Sequence, residues 1–521
     1  MKRMIMVIWV ASLVFMLFFS PSWAKTVPKG SITIAVTSLA DEPIDPQKSK
    51  TQIDRPITDS VGDSLVVGDL QGNLAPGIAT SWRLLPNTGN KGWEFKLRKG
   101  VKFWDGKPMT GEDVKFSIER AMSPKTANEG SPFIRANVER IQVVDNETLI
   151  IYSPNPTPWV PIAVAGRYAA ILPKAHLEKV GDEKFNTVEG LLTCGEFKPV
   201  EHKKMQHFIM EANEGFYDPA RVPRVKRIKL AVVPELSTRM AMLQTGEVDI
   251  VDGVAGPTIM QVKSNPKLKL SVSHKTATYF LTPCDLHHPE PSPLKDKRVR
   301  QALAHAIDID SIIKRLYFGE ASPVVAIMIP RDVGYDPTLK PWKYDVERAK
   351  KLLAEAGYAK GFKVDLQGAL TPSTPLCDKV LEAVAGFWGK VGVEVNLRMM
   401  ESGTYYAKYR EKAFRGFAAF SNPVTPDHLS SIWYLAGTGM MYSFYSNPDM
   451  DKWLAEQKQE MDPVKRAEIA KKIYNHWHHE LVGIPIHHVN TLWATGPRVK
   501  EWIPAPYQPY TVGLEYIVPA D

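Results

Sequence analysis

The chain has 521 residues, more than one hydrophobic core holds, so two or three domains are expected. Hydrophobic residues make up 44% and charged residues 23%, an ordinary globular balance with no low-complexity segment or short-period repeat. The formal net charge is +8, but Lys and Arg are scattered among acids with no dense basic run. The excess reads as a solvated surface, and no nucleic-acid partner is expected.

Lys2 and Arg3 give a basic start, Ile5 to Phe19 is almost wholly apolar, and Ser22-Trp23-Ala24 ends in small residues. This is the grammar of an export signal, with cleavage expected between Ala24 and Lys25. The apolar run is shorter than the roughly 20 residues of a membrane span. No Cys near the cut offers a lipid anchor. The mature chain would have 521 − 24 = 497 residues and a net charge of +8 − 2 = +6. An exported chain with Cys194, Cys284 and Cys377 could form one disulfide, although buried free thiols are expected.

Ser31 to Val36 is an apolar-rich strand, and the loop after it carries Asp41 and then Ile44-Asp45-Pro46. Loops at strand ends are where α/β folds hold ligands, so Asp41 is a candidate contact; an ordinary surface loop is the other reading. From Trp93 to Ala121 the pattern predicts a hairpin feeding a capped helix. Phe95, Leu97, Val101 and Phe103 are spaced by two within short runs, and Lys99-Gly100 turns the chain between them. Thr110 with Asp113 predicts a capping box, and Val114, Ile118 and Ala121 recur on one helical face. Ile141 to Tyr152 predicts a second hairpin turning at Asp145-Asn146.

The stretch from Leu97 to Val114 resembles the LRxGVKFxDGxPxTxxDV segment of periplasmic solute-binding proteins of the oligopeptide, dipeptide and nickel type, which serve ABC importers. Further resemblances follow in order. Leu74 to Trp82 is similar to an LxPxLAxSW run, and Gly246-Glu247-Val248-Asp249-Ile250 to a GEVDI step into a strand. That step follows a helix through Met240 and Leu243, which Ser237 or Thr238 is expected to cap. Pro293 to Asp308 resembles PxxDxRVRQALxxAID, with Asp296 as N-cap and Val299, Ala302, Leu303 and Ala306 as a core-facing stripe. Tyr344 to Tyr358 resembles YDxxxAxxLLxxAGY. Lys363 to Leu366 and Val393 to Leu397 predict strands around an amphipathic helix over Leu376 to Val391.

The resemblance implies an α/β, two-lobed periplasmic binding protein with mixed sheets, a hinge of crossing strands near Thr278 to Cys284 and Ile484 to Thr491, and an extra subdomain in the first lobe. The first lobe would comprise residues 25–57, 190–280 and 491–521, its accessory subdomain 58–189, and the second lobe 281–490.

No nucleophile elbow, phosphate loop or dinucleotide fingerprint is present, and the adjacent His pairs are poor chelates, so neither catalysis nor a resident metal or cofactor is expected. A binding protein needs a cleft with aromatic contact area and a few polar anchors. The candidates are Asp41, Tyr279, Tyr405, Asn422, Trp433 and Tyr434, with core packing the alternative for each aromatic. Peptide-binding relatives often hold an ammonium with an Asp about where Asn422 stands, and dipeptide relatives use an Arg in the loop matching Gly368 to Ser373, which has none. A neutral Asn lacks the charge-assisted bond that an ammonium in a dry cleft requires. The expected ligand is therefore a longer peptide held by its backbone, or a small polar organic solute, delivered by a periplasmic monomer to an inner-membrane ABC permease. The alternatives are a nickel or metal chelate, with His428 near the cleft, and a periplasmic chaperone or signalling receptor on the same fold.

Overall fold

The computed structural model describes residues 26–39, 43–126, 128–371, 374, 376–425 and 427–520. Ala24, Lys25 and Asp41 lie outside the described residues. Two long antiparallel strands, Lys269–Pro283 and Ile484–Thr495, carry the architecture. Their paired ends serve different lobes. Lys269 to Ser273 faces Thr495 to Thr491, and there the sheet continues through Ile250–Val251, Lys29–Val36, Val225–Val232, His207–Ala212 and Phe197–Lys203. Ala277 to Leu281 faces Val489 to Ile484, and there it continues through Phe417–Pro423, Lys363–Ala369 and Glu394–Met400. One mixed sheet thus runs through both lobes.

The pairing breaks between Ser273 and Ala277. Lys275 there takes a left-handed φ of 53°, its N–H donates to Asn490 Oδ1 at 2.9 Å, and the Thr276 hydroxyl donates to the Val489 carbonyl at 3.1 Å. A bulge of this kind adds twist and bends the strand. The break lies a few residues before the predicted crossing at Thr278, on the predicted strand.

In the second lobe, side chains alternate between two cores, as the strand period of two requires. Tyr279, Leu281, Phe417 and Ala419 pack with Val299, Leu303, Leu353, Val384 and Trp388. Phe280, Ala418 and Phe420 pack with Leu429, Ile432, Leu454, Tyr474 and Trp477. Helices therefore cover both faces of the sheet. Their starts are local: Asp296 caps Lys297–His305 through the Arg298 N–H, and Asp345 caps Val346–Glu355 through the Arg348 N–H. The helix Leu236–Thr245 departs from expectation. It begins after Glu235 with no side-chain cap, so Ser237 and Thr238 lie inside it, while Gly246 ends it at φ 79°.

Within the first lobe, a four-stranded antiparallel sheet runs Ala79–Leu85, Gly92–Leu97, Thr148–Tyr152, Arg140–Asp145 and packs on the helix Gly111–Met122. The predicted hairpin from Phe95 to Phe103 is not formed. Both edges of Gly92–Leu97 are taken by Ala79–Leu85 and Thr148–Tyr152, so Val101 to Phe103 instead folds into a tight loop closed from the Phe103 N–H to the Lys107 carbonyl at 3.0 Å. The capping box is present: the Asp113 N–H donates to Thr110 Oγ1 at 3.2 Å, and the Thr110 N–H to Asp113 Oδ2 at 2.9 Å. Thr110→Ala is expected to cost about 1 kcal/mol, read as a lower urea midpoint at unchanged slope. All three cysteines are buried free thiols.

Candidate functional site

Three polar side chains stand in a row across adjacent strands where the second lobe meets the hinge. Asn422 pairs in register with Thr278, and Thr278 with His488. The Thr278 hydroxyl meets His488 Nδ1 at 3.2 Å, and the Asn422 amide donates to the Ser431 hydroxyl at 3.2 Å. Burial, with Lys275, His428 and His487 nearby, pushes the His488 ring down to about 3, so it is neutral at pH 7.

Past this row, His428 opens the helix Leu429–Ala436. His428 is buried. Its Nδ1 lies 2.5 Å from Asp332 Oδ2, and its Nε2 has no partner among the described residues. A buried ring nitrogen left unbonded is costly.

The segment before this helix is tied to the first lobe at two points, one of them through Arg331 of the second lobe. Arg331 donates to the Thr425 carbonyl at 3.2 Å and to the Gly72 carbonyl, and lies 4.3 Å from the Tyr507 ring centre. Trp159 Nε1 donates to Asp427 Oδ2 at 3.0 Å, an oxygen that also accepts from Arg466. Nearby in the first lobe, Arg55 bonds Asp59 at 2.7 Å and Gln508, with Tyr510 5.7 Å from it. Tyr406 of the second lobe is close enough to Tyr510 that, after burial and the neighbouring Tyr442 and Cys377, Tyr510 also helps raise its phenol. Tyr406 and Tyr510 are thus aromatic residues of opposite lobes within electrostatic reach of each other. Two surface hollows, of about 330 Å³ around Lys363 and Arg415 and about 410 Å³ around Arg221 and Ile503, have none of these residues in their walls.

The predicted contacts divide unevenly. Asn422 stands in the polar row. Trp433 and Tyr434 lie on the helix that His428 opens, Trp433 half-buried under Lys458 and Tyr434 39% exposed. Tyr279 and Tyr405, expected as contact area, are instead core residues. Their hydroxyls are spent on Cys377 Sγ at 3.2 Å and on the Ala419 carbonyl at 2.6 Å. The helix period could have separated Tyr405 from Tyr406: Tyr405 and Tyr409 are four apart and both buried, which turns Tyr406 off the core face.

The family model of bacterial extracellular solute-binding proteins, family 5 (middle region), matches residues 73–443. The chain belongs to this family. It is 27% identical over 466 residues to heme-binding protein A of Haemophilus influenzae, covering 84% of this chain and 82% of that protein. It is 25% identical over 489 residues to the periplasmic oligopeptide-binding protein OppA of Escherichia coli, covering 88% and 87%. NikA from Brucella suis, solved in complex with Fe(III)-EDTA, shares the fold with a TM-score of 0.81 at 20% identity, covering 94% of this chain and all of that one. Members of family 5 are substrate-binding receptors, not enzymes, and this chain is such a receptor for an ABC importer. They work in the periplasm or outside the cell. Among the described residues, no helix is long and apolar enough to cross a membrane.

Proposed function

We propose that the protein is a periplasmic monomer, cleaved between Ala24 and Lys25, that captures a small polar organic solute or a backbone-held peptide and hands it to an inner-membrane ABC permease. The site comprises Asn422, Thr278, His428 and His488 on the second lobe, with Tyr406 and Tyr510 as aromatic walls. The lobe I core, accessory subdomain and second lobe follow residues 25–57, 190–280 and 491–521; 58–189; and 281–490, except that Ala277 to Phe280 already pair within the second lobe's sheet. No nucleic acid takes part. The observation that carries the reading is the His428 Nε2 atom, buried and without a partner among the described residues. A solute that bonds it lets the lobes close without the desolvation cost of an unsatisfied nitrogen, roughly 1–3 kcal/mol. With neutral Asn422 and neutral His488 flanking it, the site suits hydrogen-bonding groups better than a free ammonium.

Mass spectrometry of whatever co-purifies with the mature protein identifies the class. Thermal denaturation against tetrapeptides, glutathione, haem and the nickel–histidine chelate tests it, since a ligand at a hundred times Kd stabilises by about 2.7 kcal/mol. No shift with any of them, and nothing co-purified, would count against capture.

One observation favours a second reading. A metal-bound histidine commonly gives its other ring N–H to a carboxylate, and His428 has that arrangement with Asp332. One imidazole does not make a metal centre, and among the described residues no three His, Cys, Asp or Glu groups could hold an ion, so a chelate carrying its own ligands is the form that fits. His428→Ala is expected to lose calorimetric binding of the nickel–histidine chelate by at least tenfold if this reading holds. Equal binding by the variant excludes it.

A further inference from the structure

Trp159 belongs by sequence to the four-stranded unit of the first lobe, yet it packs in the core of the second. Its neighbours Val160, Ala163 and Val164 are buried in the unit's own core. Trp159 itself, 4% exposed, clusters with Phe280, Phe420, Leu429 and Trp477 of the second lobe, and Phe133 and Ile162 of the same unit pack beside it. Its indole N–H donates to Asp427 Oδ2 at 3.0 Å. The acceptor is fixed independently of Trp159. Asp427 Oδ1 accepts the Leu429 N–H at 3.0 Å, Oδ2 takes Arg466 at 2.5 Å, and Arg466 is held by the Gln457 carbonyl at 3.2 Å and its side-chain oxygen at 3.1 Å.

We infer that Trp159 is a closure latch: the accessory unit docks this one indole into a preformed socket on the second lobe and so sets the ratio of open to closed receptor, and with it the affinity for solute. The chemistry suits a reversible contact. When the lobes part, Asp427 keeps Arg466, so no buried charge is stranded; what changes is the burial of one large ring and one N–H bond. Asp427 and His428 are consecutive. The residue the latch grips and the ring offered to solute are therefore neighbours in the chain, so a shift of one displaces the other. The role differs from a ligand contact: Trp159 is a positioning residue that acts through closure. A ligand that binds only the closed form is weakened by whatever fraction of that form is lost.

The inference rests on the two-lobed receptor reading, but its test needs no solute. Solution scattering would be measured on the full mature protein stripped of solute, as wild type, Trp159→Ala and Trp159→Phe. A compact chain of this length has a radius of gyration of about 23 Å. Truncating a buried Trp anchor should move the open-to-closed ratio by about thirtyfold or more. We expect Trp159→Ala to raise the radius above that of wild type, as hinge opening does, and Trp159→Phe, which loses only the N–H bond, to fall between. A folded Trp159→Ala protein with wild-type scattering overturns the latch. So does a wild type already as expanded as the variant, and Trp159→Phe matching wild type removes Asp427 from it. Failure of solute capture would show separately, as no co-purified molecule and no thermal shift.

Discussion

Arg120→Met is expected to destabilise the protein by about 3–5 kcal/mol, the cost of leaving a buried carboxylate without its cation. Asp45 is fully buried, and its side chain caps the turn Pro46–Lys48 by accepting the Gln47 N–H at 2.9 Å. Arg120, near the end of the helix Gly111–Met122, donates to Asp45 Oδ2 at 2.7 Å, to Asp182 Oδ1 at 2.9 Å and to Gln47 Oε1 at 2.9 Å. One guanidinium thus joins the loop after the first strand, the accessory helix and the helical segment around Asp182. Met keeps much of the stem volume and removes the charge. Asp45→Asn in the same chain should recover part of the loss, because a neutral amide is less costly to bury alone. Urea unfolding at pH 7.5 reads both, with the first transition the one to follow in a two-lobed protein. A loss under 1 kcal/mol for Arg120→Met would mean that the loop and helix are joined by packing alone.

That ion pair also shows why Asp45-Pro46 could not be placed from sequence. A strand followed by Asp-Pro reads as a loop open to ligand or solvent, and nothing nearby announces that its partner lies 75 residues on. Features closed within one turn of chain were legible: the Thr110–Asp113 box, the Asp296 cap and the helix stop at Gly246. The fold class was legible because family-like runs are spread along most of the chain. The Phe95–Phe103 hairpin was misread because alternation tells that a strand exists, not which edge is free, and both edges of Gly92–Leu97 were taken from elsewhere. At the site, the pairing of His428 with Asp332 spans 96 residues and that of Trp159 with Asp427 spans 268, so only the folded sheet brings them together. Asn422 was singled out from its place in a motif. Tyr279 and Tyr405 were chosen for ring size, the property that also fills cores.

Acid should weaken the crossing strand itself. His487 and His488 lie side by side on Ile484–Thr495, pointing to opposite faces of the sheet. His487 sits 5.4 Å from the Tyr279 ring and 4.5 Å from Tyr317, with neither nitrogen partnered among the described residues. Burial pushes both rings down to about 3, against about 6.5 in an unfolded chain. The folded protein therefore holds fewer protons than the unfolded one between those values. The stability these rings contribute is fully present above pH 6.5 and is lost as pH falls toward 3. At 1.36 kcal/mol per unit per ring, two units of acidification cost about 5 kcal/mol, a large share of a typical folding free energy.

Other groups oppose this loss. Burial raises Asp54 to about 6 and lifts Glu196 and Glu515 as well, so these carboxyls regain stability as they are neutralised. The wild-type curve is the sum of both trends, and a variant separates them. His487→Phe keeps a ring between Tyr279 and Tyr317 and removes two unbonded nitrogens. Its urea midpoint should equal or exceed the wild type's at pH 7.5, and its advantage should grow by about 1.4 kcal/mol per unit below pH 6.5, reaching roughly 3 kcal/mol at pH 4.5. Parallel curves for the two proteins would mean that the ring takes up its proton without unfolding, through water reaching the hinge. If the advantage grows as expected, the polar row of Asn422, Thr278 and His488 is anchored to a strand that loosens in acid, and solute should be released there before the first lobe melts.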